Sequence, residues 1–226
     1  MKQWIENVFC HPDLLRMGHG QRAEDNNLGL GWIYYGLART LRPKTVVVIG
    51  SWRGFVPLVL GKALADNLEG GEVIFIDPSM VDGFWKDSAA VTRWFAGFGV
   101  TNIKHYCMTT QDFVLSEAYR ALDNPGMVFI DGYHATEQVE IDYASFEDKL
   151  GPEGVVLFHD SRRVRPSGIY GKDKVYMHGV KPFIDRLKED RTLQIFDLPF
   201  DDGVTLVRRS AATGVPASCA GTKAEE

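Results

Sequence analysis

Five short apolar runs decide what this chain can fold into: TVVVIG at 45–50, GEVIFID at 71–77, NIKHYCM at 102–108, GMVFIDG at 126–132 and GVVLFHD at 154–160. They are apolar almost throughout rather than alternating, which is the pattern of strands buried on both faces. The segments between them, VPLVLGKALADNL, SAAVTRWFAGFG, QDFVLSEAYRAL and TEQVEIDYASFEDKL, read as helices. Strand and helix in turn imply a mostly parallel sheet with right-handed crossovers and helices on both faces, the doubly wound α/β class. After residue 160 the order breaks. A loop containing glycine and lysine precedes the helix GVKPFIDRLKED, and LQIFDLPF and GVTLVRR then form a C-terminal antiparallel hairpin across DDG.

Ahead of the first run, residues 1–43 read as an N-terminal helical cap. It holds an amphipathic helix around Trp4, Val8 and Phe9, the polar stretch GHGQRAEDNN, and a helix LGWIYYGLARTL that stops before Pro43. Residues 44–210 form the α/β domain, and residues 211–226, small and polar, are expected to be a disordered tail. A chain of 226 residues with 45% hydrophobic content suits one core. The balance of 25 basic against 30 acidic residues, with no dense Lys/Arg block, argues against a nucleic-acid partner. Cys10, Cys107 and Cys219 form no metal or disulfide pattern, and no run of about 18 apolar residues occurs, so a soluble, reducing, cytoplasmic setting without membrane contact is expected. A homo-oligomer is left open.

In an open parallel sheet, ligands bind beyond the carboxyl ends of the strands. The residues ending the five runs are Gly50 with Ser51, Asp77, Thr110 with Gln111, Asp131, and His159 with Asp160. One polar strand end is usually a turn former or a helix cap; a polar or small residue at each end points to a site. Asp131 and Asp160 end successive strands, and two anions held close require a proton or a cation between them. A magnesium-type ion in an oxygen-rich shell suits two such carboxylates. His134 and His159 stand beside them, and either is placed to serve as general base.

The most telling turn is GSWRGF, where Gly50 and Gly54 stand four residues apart. Glycine there either bends the chain sharply or lets something approach its backbone. Taken with FIDPS, TTQDF, FIDGYH and GPEGVVLFHDS, this turn resembles those of the class I S-adenosylmethionine (SAM)-dependent methyltransferases. The nearest branch is the small-molecule O-methyltransferases, which include catechol, caffeoyl-type and macrolide-sugar enzymes. The resemblance covers about residues 44–210 and implies a single Rossmann-like methyltransferase domain. By it, Gly50, Ser51, Trp52, Gly54 and Phe55 cradle the methionine end of SAM, Asp77 with Pro78 meets the ribose, and Thr110 and Gln111 meet the adenine edge. It also implies that Asp131, Asp160 and Ser161 hold a divalent metal, with Asp131 at the cofactor as well, and that His134 takes the place of a catalytic lysine. Val48 stands where these enzymes commonly carry an acidic residue.

The implied reaction moves a methyl group from SAM to a hydroxyl of a small molecule, assisted by Mg²⁺, with Asp131 and His134 as the catalytic pair. The segment from Arg162 to His178, with Gly168 and Gly171, reads as a lid whose Tyr170 and Tyr176 cover an aromatic or sugar ring. Two alternatives remain. An NAD-type oxidoreductase would use the same sheet, although GSWRGF does not meet the dinucleotide fingerprint. A catalytically degenerate cofactor-binding protein is the other.

Overall fold

The computed structural model describes residues 1–16 and 18–210. The five apolar runs are the strands β1 (Thr45–Ile49), β2 (Glu72–Ile76), β3 (Ile103–Tyr106), β4 (Met127–Ile130) and β5 (Val155–His159). They lie parallel in the order β3-β2-β1-β4-β5. A short antiparallel pair, β6 (Arg165–Ser167) and β7 (Tyr176–His178), follows and stands apart from the main sheet. The C-terminal hairpin, β8 (Leu193–Leu198) and β9 (Val204–Arg209), extends the sheet, with β9 antiparallel to β5. The architecture expected from the sequence is therefore present, with the strand order reversing between β1 and β4.

The pleat explains why the central strands β1, β4 and β5 are apolar on both sides, while the edge strand β3 exposes Lys104. Val46, Val48, Phe129 and Leu157 face one buried cluster, while Val47, Val128, Val156 and Phe158 face the other. The first cluster is covered by α1 (Lys2–Phe9), α2 (Gly31–Leu41), α3 (Phe55–Asn67) and α4 (Ser88–Ala96), which contribute Val8, Tyr34, Leu58 and Phe95. The second lies under α5 (Thr110–Phe113), α6 (Glu117–Ala121), α7 (Thr136–Ala144) and α8 (Val180–Leu187), through Phe113, Tyr119, Tyr143 and Phe183. Residues 1–43 thus share the core of the sheet, packing Ile5, Leu14, Leu28 and Tyr34 into it at 3% exposure or less.

Two details differ from the pattern reading. QDFVLSEAYRAL is not one helix, because the Ser116 side chain accepts the backbone N–H of Tyr119 and starts a new helix there. The segment read as a lid contains the β6–β7 hairpin, whose three-residue strands are too short for a period to register. The tail at 211–226 lies outside the described residues. Among the described residues no helix is long and apolar enough to cross a membrane.

Candidate active site

The sheet ladder continues one residue past the strands. Gly50 N–H donates to Ile76 O at 2.8 Å, Asp131 N–H to Ile49 O at 2.8 Å and Asp77 N–H to Tyr106 O at 3.2 Å. Gly50, Asp77 and Asp131 therefore sit level along one edge, at the reversal point of the sheet. Alternation puts Asp77 on the Phe75 face and Asp131 on the Phe129 face, which are the same face of the sheet. Because Ile130 pairs with Phe158, His159 stands level with Asp131, and Asp160 lies one residue beyond it.

Both glycines of the opening turn have packing reasons. Gly50 adopts φ +70°, and a Cβ on it would stand 2.3 Å from Gly132 Cα, so the β1 and β4 loops touch backbone to backbone. Gly54 adopts φ +81° under the rings of Phe95 and Trp85. Between them Arg53 pins the turn: it pairs with Asp82 at 2.7 Å and lies 4.2 Å over the Trp52 ring.

Beyond this edge opens a cavity of about 540 Å³, a size that suits a small-molecule ligand. One end is lined by Ser51, Trp52, Phe55, Asp77, Pro78, Thr110 and Gln111, while Gly54 lies behind the lining. Asp77 accepts the N–H groups of Ser79 at 2.7 Å and Ser51 at 3.3 Å, yet burial pushes its carboxyl up to about 6. The Trp52 indole N–H has no hydrogen-bond partner among the described residues. Thr110 donates to Asp142 at 2.6 Å and Gln111 to Gln138 at 2.8 Å, and all four residues line the cavity.

The other end holds buried imidazoles and carboxylates. His159 Nδ1 is 2.9 Å from Asp131 Oδ1 and 3.6 Å from Asp160 Oδ1. His134 bridges the two acids, with Nε2 3.5 Å from Asp131 Oδ1 and Nδ1 3.2 Å from Asp160 Oδ2. His178 Nδ1 and Arg165 Nη2 each approach Asp160 Oδ2 to 2.9 Å, so the β6–β7 hairpin is pinned to that carboxylate. His19 completes the wall, 3.7 Å from Asp131 Oδ2 and bonded to Tyr34 at 3.2 Å. Asp160 adopts φ +53°, a left-handed conformation that aspartate tolerates better than most residues.

Charge in this cluster is set by competition. Burial works against the ionised form of Asp131, but the imidazoles of His159 and His134 outweigh it and hold the carboxyl well below its ordinary range. Asp160 is held down likewise, by His134 and His178 against the cost of burial. His159 is opposed by burial but lifted to about 9 by Asp131 and Asp160, while burial and the neighbouring His159 push His19 down to about 3.

The family described as a methyltransferase domain matches residues 47–161, half of the chain. The chain belongs to this methyltransferase family. No curated protein sequence matches it. Among solved structures, a SAH-bound methyltransferase of Podospora anserina is 20% identical, with a TM-score of 0.61 over 92% of this chain and 86% of that one. TomG of Streptomyces achromogenes, an O-methyltransferase of tomaymycin synthesis solved with SAM, is 16% identical, with a TM-score of 0.63 over 93% and 91%. A Bacillus cereus O-methyltransferase solved with SAH is 12% identical, with a TM-score of 0.62 over 93% and 92%. Each shares the fold.

Within this methyltransferase domain the structure gathers Asp131, His134 and Asp160, as the sequence led one to expect, but it does not bring Ser161 to them. The Ser161 hydroxyl is bonded to Thr205 at 2.8 Å, and Thr205 is bonded in turn to the Asp197 carboxylate at 2.8 Å, outside the cavity lining. The donors facing one another are two carboxylates and two imidazoles, which does not fit an oxygen-ligated magnesium ion. His19 was missed as a site residue because it sits 112 positions before Asp131 in a stretch that reads as a polar loop; its flanking Gly18 and Gly20 were the available signal. His178 was read as the end of the lid rather than as a partner of Asp160.

Proposed function

We propose that this methyltransferase uses SAM to methylate a hydroxyl of a small, planar or sugar-like acceptor. The observation that carries the reading is the cavity itself: the buried Asp77 carboxylate and the unpartnered Trp52 indole N–H stand at one end, and the imidazole–carboxylate cluster stands at the other. SAM supplies an electrophilic methyl on a sulfonium; the C–S bond breaks as the new O–C bond forms, and sulfur keeps the electron pair. Asp77 is suited to accept the ribose hydroxyls, with Pro78 beside it. Ser51, Trp52 and Phe55 border the methionine end, Gly50 and Gly54 shape the turn behind them, and Thr110 and Gln111 flank the adenine.

Line-up of oxygen, carbon and sulfur supplies much of the rate in such a transfer. The acceptor hydroxyl must also lose its proton. Asp131 and His134 are the catalytic pair in this reading: in the ion-free cluster the unpartnered Nε2 of His134 has a lone pair to receive that proton. The acceptor enters under Tyr133, Tyr170 and Tyr176, whose ring centroids lie 4.2 to 5.9 Å apart at the cavity mouth. Three rings at that spacing favour a flat or sugar-like partner.

Calorimetry with SAM, SAH and NAD on the same preparation tests the reading. Saturable SAM and SAH binding with no NAD heat is expected, followed by methyl transfer to a phenolic or sugar hydroxyl panel. NAD binding without SAH binding would assign the cavity to an oxidoreductase, and SAH binding without turnover on any acceptor would favour a degenerate cofactor-binding protein.

A further inference from the structure

Three polar atoms in the cluster are buried and lack a hydrogen-bond partner among the described residues: His134 Nε2, His159 Nδ1 and Asp160 Oδ1. One donor atom from each of His134, His159 and Asp160 lies within 4.8 Å of the others. Leaving one such group unsatisfied costs about 1–3 kcal/mol, so three together call for a common ligand. The Asp131 carboxylate closes the set, its Oδ1 2.9 Å from His159 Nδ1 and 3.5 Å from His134 Nε2. The shorter contact is as close as a hydrogen bond but does not have the direction of one. Donors around one ion behave this way, since bonds of about 2.1 Å set neighbouring ligand atoms roughly 3.0–3.4 Å apart.

The second contacts of each ligand select its donor atom. His159 Nε2 is 3.0 Å from Gly18 O; a carbonyl can only accept, so that nitrogen keeps its proton, and Nδ1, which faces Asp131 at 2.9 Å, is the atom that exchanges its proton for an ion. His134 Nδ1 faces the Asp160 Oδ2 carboxylate oxygen, which likewise leaves Nε2 as the donor. Asp160 Oδ2 is occupied by His178 and Arg165, which turns Oδ1 inward. These constraints come from an N-terminal loop, from the loop after β4, from the end of β5 and from the β6–β7 hairpin, so the arrangement is built by the whole fold.

We propose that His134, His159, Asp131 and Asp160 form a two-imidazole, two-carboxylate site for a divalent transition-metal ion of the zinc or cobalt type, in place of an oxygen-ligated magnesium site using Ser161. Imidazole donors select such ions over magnesium, which takes oxygen and dehydrates reluctantly. The proposal rests on the methyltransferase reading only for the cluster's position beside the acceptor; with the ion bound, the lone pair of His134 that serves the ion-free cluster as base becomes a ligand.

The test uses the full chain, stripped with a chelator and dialysed, then titrated separately with Co²⁺, Zn²⁺ and Mg²⁺. Calorimetry reads affinity, and visible absorption reads the Co²⁺ ligand field. One Co²⁺ per chain with visible bands, displaced by Zn²⁺ and not by millimolar Mg²⁺, is the expected result. His159→Ala and His134→Ala should each weaken Co²⁺ binding by at least about tenfold, the lower end of what even outer-shell changes cause; Ser161→Ala should leave it unchanged. Circular dichroism and SAH titration of each variant report the fold, and if one variant does not fold the other carries the comparison. Mg²⁺ bound as tightly as Zn²⁺, no ion bound at all, or Ser161→Ala weakening the ion while the histidine variants do not, would overturn the proposal. Ion binding without SAH binding would instead remove the methyltransferase reading and leave this site standing.

Discussion

The two ends of the cavity are built in different ways. The end near Asp77 comes from the segments that follow β1, β2 and β3, each supplying its polar groups near its own strand end: Ser51 and Trp52, then Asp77 and Pro78, then Thr110 and Gln111 at the start of α5. The end near Asp131 draws His19 from the N-terminal segment, Asp131 and His134 from the loop after β4, His159 and Asp160 from the end of β5 and the residue after it, and Arg165 and His178 from the hairpin. The first end is a set of local turns made level by the sheet. The second is a tertiary junction, in which each side chain is oriented by another that is distant in sequence. A local site tolerates changes elsewhere in the fold; a junction couples its chemistry to the packing of the N-terminal segment and the hairpin.

The widest separation between the ends should come from His134→Ala. If it belongs to the chemical end alone, kcat should fall by roughly 10² to 10⁴, the range of a lost general base, while SAH affinity in calorimetry stays where it was. A fall in SAH affinity of similar size would show that the two ends are one unit and would break the distinction.

The same contrast governs how much was legible in the sequence. Strands such as Thr45–Ile49 and Met127–Ile130 are apolar on both faces, so a four- or five-residue run is its own signature. Their carboxyl ends follow directly, which is why Gly50, Asp77, Asp131 and Asp160 were placed at the site. His19 was not, since what brings its ring to 4.3 Å from that of His159 is the packing of Leu14, Leu28 and Tyr34 onto the sheet, and no local period encodes that contact. Ser161 was assigned by its position in a motif; the side chain instead follows β9, because Thr205 offers it a buried partner. Motif position fixes where a backbone lies, and the neighbours decide where the side chain goes.

Asp77→Ala tests the local end. Loss of a charge-assisted bond to the ribose should weaken SAM and SAH by about 1.5–3 kcal/mol, with Co²⁺ binding at the cluster unaffected. The wild-type pH profile sharpens it. Burial lifts the Asp77 carboxyl from 3.8 to about 6, so the ionised acceptor is present above that pH and SAH affinity should fall as the pH drops through about 6. The sign for folding is opposite: a raised carboxyl contributes stability that is fully present below 3.8 and lost as the pH rises through about 6. Unliganded protein should therefore gain from Asp77→Asn near neutral pH while binding SAH less well, and a flat SAH profile from pH 5 to 8 would count against Asp77 as the ribose contact.

Tyr133 lies outside both ends, at the mouth, 39% exposed and 4.2 Å from the Tyr176 ring. Tyr133→Ala should raise KM for a flat acceptor by the worth of one aromatic contact, about 0.5–1.5 kcal/mol, and leave SAH affinity alone. An equal change in KM for an acyclic alcohol and for a ring-bearing one would argue that the tyrosines do not stack on the acceptor.

The smallest functional effect belongs to Ser161→Ala, and its smallness is informative. The hydroxyl is buried, bonded to Thr205, and through it tied to Asp197 on β8, so it joins β5 to the C-terminal hairpin rather than to the cavity. Removing it deletes one buried neutral hydrogen bond, worth about 0.5–1.5 kcal/mol of stability, and leaves Thr205 with the Asp197 carboxylate as its remaining partner. Urea unfolding should show that modest loss, while SAH affinity, Co²⁺ affinity and kcat stay within error of the parent. A variant that unfolds like the parent but loses turnover would return Ser161 to the reacting end. That would mean that the side chain leaves Thr205 when ligands bind, making the junction around Asp160 a mobile one.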